Sequence, residues 1–250
     1  SGQYIFTEVK DMNLKVDYRG QMSDTLFTAI FLVLSGGFQD AYTYGCRGGV
    51  FANAQTGNIV LLSTALFRHE WDIGKKYAIP VLSFLLGAAA ALLVRLAFGK
   101  NQKLHWRQIV LAIEIVILAG VTFISSDRVA NALVSFVCAM QVMTFRKVRG
   151  LAYASTMCIG NMRSGAEELG KYVNTRDREH LHSALTYFGV IVIFAFGAGL
   201  GSLLTQVIGK KAILVSCGLL FISFCLMFID LFIRRLKKTE RRTKEKKEKR

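Results

Sequence analysis

Eight apolar stretches, at about 24–46, 50–68, 77–99, 106–125, 128–146, 151–170, 184–207 and 212–234, dominate the chain. Most approach the ~20 residues that a helix needs to cross ~30 Å of hydrocarbon. A 250-residue chain built this way, with a mean hydropathy of +0.38 and a single proline, reads as all-α: a polytopic helical membrane protein. Residues 1–22 are polar and contain no apolar h-region or small-residue cleavage site. They are expected to form a cytoplasmic extension, with the first span acting as its own signal.

The net charge of +15 is concentrated at one end. RRLKKTERRTKEKKEKR, residues 234–250, holds eleven Lys/Arg against three Glu and follows the last apolar run directly. Such a segment is expected on the cytoplasmic face of a plasma membrane, where each basic residue near the surface gains about 1 kcal/mol from anionic lipid. Arg234, Arg235, Lys237, Lys238, Arg241 and Arg242 are the candidate headgroup contacts. No nucleic-acid recognition motif accompanies the charge, so DNA and RNA are not expected partners. The five cysteines include no CxxC pair and read as small core residues. The four histidines lie at or beyond the ends of apolar runs. Neither a metal nor another cofactor is expected. No nucleophile elbow, HExxH or P-loop is present, so no enzyme is expected.

Two parts of the chain resemble each other. FQDAYTYGCRGGVFANAQTGN (38–58) and MQVMTFRKVRGLAYASTMCIGN (140–161) both place a Gln before an aromatic-containing turn, then a basic-Gly step, then a small-polar segment closing on Gly-Asn. One insertion aligns them. FLLGAAAALL (84–93) and FAFGAGLGSLL (194–204) match in the same way. The chain therefore reads as two copies of a four-segment unit, 23–125 and 126–234, followed by the tail 235–250.

The second segment of each copy is unlike an ordinary span. In LAYASTMCIGNMRSGAEELG, Arg163, Glu167 and Glu168 would each cost about 2.5–3.5 kcal/mol near the centre of a lipid-facing helix. If these segments only re-enter the membrane, each copy has three full spans and the copies sit inverted. Six spans place ten Lys/Arg inside against seven outside, whereas eight spans place seven inside against nine outside. The positive-inside bias favours six full spans plus two re-entrant or irregular helices over eight helices.

Polar residues at such depth are tolerated in protein interiors or beside a wet cavity. The candidates in the first copy are Gln39, Asp40, Asn53, Gln55, Thr56 and Asn58; those in the second are Gln141, Thr156, Asn161 and Arg163. Asn53, Thr56 and Gly57 would share a helical face, with Gln55 and Asn58 on its edge. Glu114, in QIVLAIEIVIL, has no charge within six residues on either side. As an intramembrane carboxylate it is a functional candidate, with a structural pairing to Arg95 or Arg163 as the alternative. The plainer reading of the amides is hydrogen-bonding glue between helices, about 0.6 kcal/mol per bond.

SGGFQDAYTY followed by GGVFANAQTGNIVLL, together with FLLGAAAALL, is similar to the YoaK-like family of bacterial multi-pass membrane proteins (domain of unknown function 1275). The resemblance covers nearly all of 24–234. It implies several transmembrane helices in the plasma membrane and no assigned activity, so it carries over no site residues. The second copy departs from the first, reading STMCIGN where the first reads NAQTGN. From the residues alone, the leading expectation is a transporter or channel-like permease for a small solute. The alternative is a non-transporting scaffold that binds lipid or partner proteins.

Overall fold

The computed structural model describes residues 26–99 and 105–229. The extension 1–22, the basic tail and most of the 100–107 connection lie outside the described residues. The elements are α1 (Leu26–Cys46), α2 (Gln55–Phe67), α3 (Trp71–Phe98), α4 (Trp106–Val121), α5 (Asp127–Thr144), the strands β1 (Lys147–Val148) and β2 (Leu151–Ala152), α6 (Cys158–Thr175), α7 (Arg178–Ile208) and α8 (213–229). The fold is thus all-α apart from a two-stranded antiparallel hairpin, β1 to β2, that periodicity did not indicate. Its turn uses left-handed backbone at Arg149 and Gly150, as the turn after α1 uses it at Gly48 and Gly49. Glycine adopts that conformation without a Cβ penalty.

Each chain half packs on the other. The Cα faces of Gly197 and Gly201 on α7 lie against the backbone of Leu34 and Phe38 on α1, and Gly45 lies near Thr205, so α1 and α7 run parallel. The face of Gly87 on α3 lies against the Phe136 carbonyl on α5, and Ala91 clusters with Met140, so α3 and α5 also run parallel. A Cβ at Gly87 or Gly197 would overlap the facing carbonyl, so glycine sets how closely each helix pair approaches. By contrast α1 and α5 run antiparallel: Gln141 Nε2 donates to the Leu32 carbonyl, the Cys138 thiol to Gln39 Oε1, and Asn131 Nδ2 to the Arg47 carbonyl. Between α1, α4, α5 and α8 lies the main core, with Leu32, Phe38, Leu111, Leu118, Val134 and Leu220 buried.

Around this core the surface is apolar. Leu82, Leu85, Leu86, Leu93 and Leu96 of α3 and Val192, Phe196, Leu203 and Val207 of α7 are all exposed. Trp71–Phe98 and the continuous stretch Arg178–Ile229 are long and apolar enough to cross a membrane.

Candidate functional site

After α1 the chain doubles back along it, and Asn53 returns to the level of Gly36, half-way along the helix. Asn53 Nδ2 donates to the Gly36 carbonyl at 3.1 Å. After α5 the chain also turns back, and the Thr156 methyl comes so close to Gly36 that a Cβ there would meet it at 2.6 Å. The two returning segments therefore meet at one glycine in mid-bundle. From each meeting point a helix starts outward, α2 at Gln55 and α6 at Cys158.

Asp40, one turn beyond Gly36 on α1, serves the first of these tips. Its Oδ1 accepts the Asn53 backbone N–H at 2.7 Å, and the N–H groups of Ala52 and Ala54 turn to the same carboxylate. Those three residues precede α2, so the carboxylate sits at the positive end of that helix, typically worth ~0.3–1 kcal/mol and up to ~2 in partly buried geometry.

Gln39 and Gln141 hold the helices around the tips. Gln39 Nε2 donates to the hydroxyls of Ser35 (2.9 Å) and Ser216 (3.0 Å), which are themselves 2.7 Å apart. Its Oε1 accepts from the Cys138 thiol at 2.8 Å. Gln141 Nε2 donates to the Leu32 carbonyl at 2.9 Å and to Ser155 Oγ at 3.3 Å, fixing the second tip to α5 and α1. Several buried acceptors have no hydrogen-bond partner among the described residues: Asn53 Oδ1, Thr156 Oγ1, Gln141 Oε1 and both oxygens of Glu114. Glu114, on α4, is wholly buried.

The remaining amides serve the backbone. Asn58 Nδ2 donates to the Phe51 carbonyl at 2.7 Å while its Oδ1 accepts the Phe51 N–H at 3.2 Å. Asn161 makes the same pair of bonds to Ala154, at 2.8 and 3.3 Å. Gln55 Nε2 donates to the Ala52 carbonyl, and its Oε1 accepts from Asn58. Asn53 precedes α2 instead of lying on it, so the expected shared helical face with Thr56 and Gly57 does not form. Thr56 is exposed. The proposed partners of Glu114 are elsewhere: Arg163 is 81% exposed and pairs with Glu167 at 3.0 Å, and Arg95 lies over the Trp106 ring.

Arg47, one of the seven Lys/Arg that the six-span count places outside, is fully buried. Its guanidinium donates to Tyr42 Oη, to the Ile124 and Val121 carbonyls and to Asp127, tying α1 to the α4–α5 connection. The sequence signal for this was the register match to Arg149 beside a left-handed glycine, and it did not separate the two arginines. A cavity of about 330 Å³ opens next to Arg47, lined also by Asp72, Lys76, Asp127, Arg128 and Asn131. Lys171 of α6 and then His180 of α7 hold the Glu168 carboxyl below its usual range, with contacts of 2.7 Å each. Among the described residues no group of three or more His, Cys, Asp or Glu is placed to hold a metal ion, and the five cysteines are free.

Residues 28–226 match the family model described as "Protein of unknown function (DUF1275)". No curated protein and no solved structure matches the chain.

Proposed function

The chain belongs to the DUF1275 family, which has no assigned function, and on that premise we propose that it is an integral plasma-membrane permease for a small solute, built as an inverted repeat. In this reading α1, α3, α4, α5, α7 and α8 cross the membrane while α2 and α6 are re-entrant half-helices. The units 23–125 and 126–234 are related by a pseudo-twofold axis in the membrane plane. The interval from Gln39 to Gln141 also separates Leu34 from Phe136 and Glu114 from Ser216, and the clamps of Asn58 and Asn161 are the same motif. The antiparallel course of α1 and α5 is what inversion requires of two first helices.

The observation that carries the permease reading is the meeting of two half-helix N-termini at Gly36. Broken helices with their dipole ends at mid-depth recur where transporters hold solutes, because backbone groups left unpaired there need a wet or liganded cavity. The tail, Arg234–Arg250, would then lie on the cytoplasmic face against anionic headgroups. A cysteine placed at 103 should resist membrane-impermeant labelling from outside intact cells.

The test of function is flux. Full-length protein reconstituted in liposomes is expected to accelerate entry of at least one of glycerol, urea and acetate over empty liposomes. Bulk at the meeting point, in Gly36→Val, should suppress that flux in protein that still folds. A folded protein that moves none of these, but binds anionic vesicles through its tail, would support the scaffold reading in its place.

A further inference from the structure

The two re-entrant tips share the clamp of Asn58 and Asn161 but differ in one charged group. Asp40 takes the N–H groups of Ala52, Asn53 and Ala54, just ahead of α2, whereas the interval from Gln39 to Gln141 places Val142 at the corresponding position on α5. Among the described residues no side chain takes over the carboxylate's role at α6. Its N-cap residue, Met157, makes no side-chain cap, and its first turn contains no acid. The Thr156 hydroxyl, on the residue before that N-cap, is at a position only 4% exposed and has no partner. Val142 and Cys158 are partly exposed and Met157 is exposed, so the tip is not sealed by side chains.

We propose that the tip of α6 binds the carboxylate of a small solute, which there takes the place that Asp40 occupies at the tip of α2. The donors would be the N–H groups just ahead of α6, at Ser155, Thr156 and Met157, which the clamps on Phe51 and Ala154 place opposite Ala52, Asn53 and Ala54, together with the Thr156 hydroxyl; a carboxylate accepts them through two oxygens. A monoanion fits better than a phosphate. Among the described residues no lysine or arginine is hydrogen-bonded at this tip, and Asp40 lies one turn along α1 from the Gly36 on which Thr156 packs, so a second negative charge would meet repulsion without a compensating cation. The same repulsion keeps the site weak, as a solute that must leave again requires. For its consequence in transport the inference rests on the permease reading; as a binding site it stands apart from it.

The experiment uses the full-length protein in detergent, with thermal unfolding followed in sodium acetate, in acetamide as the uncharged isostere, and in sodium chloride at matched ionic strength. Acetate is expected to raise the unfolding temperature in a saturable way, and acetamide is not. Val142→Asp supplies the carboxylate internally and should abolish the acetate response; a response that survives this substitution, or its absence in the unaltered protein, overturns the proposal. If Val142→Asp does not fold, Thr156→Val decides. Loss of one charge-assisted hydrogen bond should raise the acetate midpoint roughly tenfold, and an unchanged midpoint overturns the proposal. Liposome flux separates the two readings: glycerol or urea flux without any acetate effect removes the carboxylate site alone. Acetate stabilisation without flux of any solute removes the permease alone.

Discussion

Replacing Asn58 by Ala should destabilise the protein by about 2–5 kcal/mol. Asn58 is fully buried and makes three hydrogen bonds, two to the N–H and C=O of Phe51 and one to Gln55. Truncation removes the partner of both Phe51 backbone groups, and each group left buried and unsatisfied costs ~1–3 kcal/mol. Water reaching the tip would offset part of this, which sets the lower bound. Asn161→Ala should fall in the same range, because its bonds to Ala154 and Met157 repeat the pattern. Thr56→Ala, at an exposed position, should stay within about 0.5 kcal/mol. Unfolding in detergent, by heat or by titration with a denaturing detergent, gives the three differences side by side. If Asn58→Ala and Asn161→Ala unfold like Thr56→Ala while solute binding is lost, the clamp reading is wrong and these amides belong to a solute path.

Three further outcomes follow from contacts described above. Gly87→Ala and Gly197→Ala should each cost ~1–3 kcal/mol or prevent accumulation, since the added methyl overlaps a facing carbonyl; Gly120→Ala and Gly189→Ala, with nothing within 4 Å, should not. Glu114→Gln should change stability by less than about 1 kcal/mol, and Arg163→Gln added to it should restore nothing. A loss near the ~3–5 kcal/mol typical of a broken buried ion pair would show a cation partner that the geometry lacks. The Glu168 carboxyl is held low in the folded protein, so its small contribution is full above the ordinary carboxylate pKa and is lost as pH falls through the folded value. Unaltered protein and Glu168→Gln should therefore converge in unfolding temperature on acidification; a gap that widens would reverse the sign of the coupling.

The sequence located the helices because lipid-scale apolar runs leave little choice, but boundaries moved by up to seven residues, as at the start of α6, where polar caps and turns decide them. His105, for example, starts α4 through a capping box with Gln108. The pairing of FQDAYTYG with MQVMTFRK marked both turn-back segments. What a linear pattern could not carry was which way each amide points. Asn58 and Asn161 look like path residues in a string of letters, yet they face their own chain seven positions back. Asn53, in the same cluster, faces α1. Arg47 was invisible for the opposite reason: a charge beside two glycines reads as loop, and only the α4–α5 connection, distant in sequence, supplies the carbonyls that bury it. Glu114 was identified by its isolation in an apolar run, but its lack of a cation follows from where Arg95 and Arg163 lie in space.

The exchange of partners between the two halves also sets an order of assembly during synthesis. Helix α3 finds its parallel neighbour α5 soon after it is made, because only α4 and short connections separate them. Helix α1 ends at Cys46, and its neighbour α7 begins at Arg178. At ~5–20 residues per second, this leaves α1 without its main partner for several seconds to nearly half a minute. Throughout that wait Ser35 and Gln39 have no Ser216 to bond, and Leu34 and Phe38 have no matching glycine face to pack on. In the membrane reading the nascent first half would wait exposed to proteolysis, and a lesion in α7 would first be felt as the loss of α1.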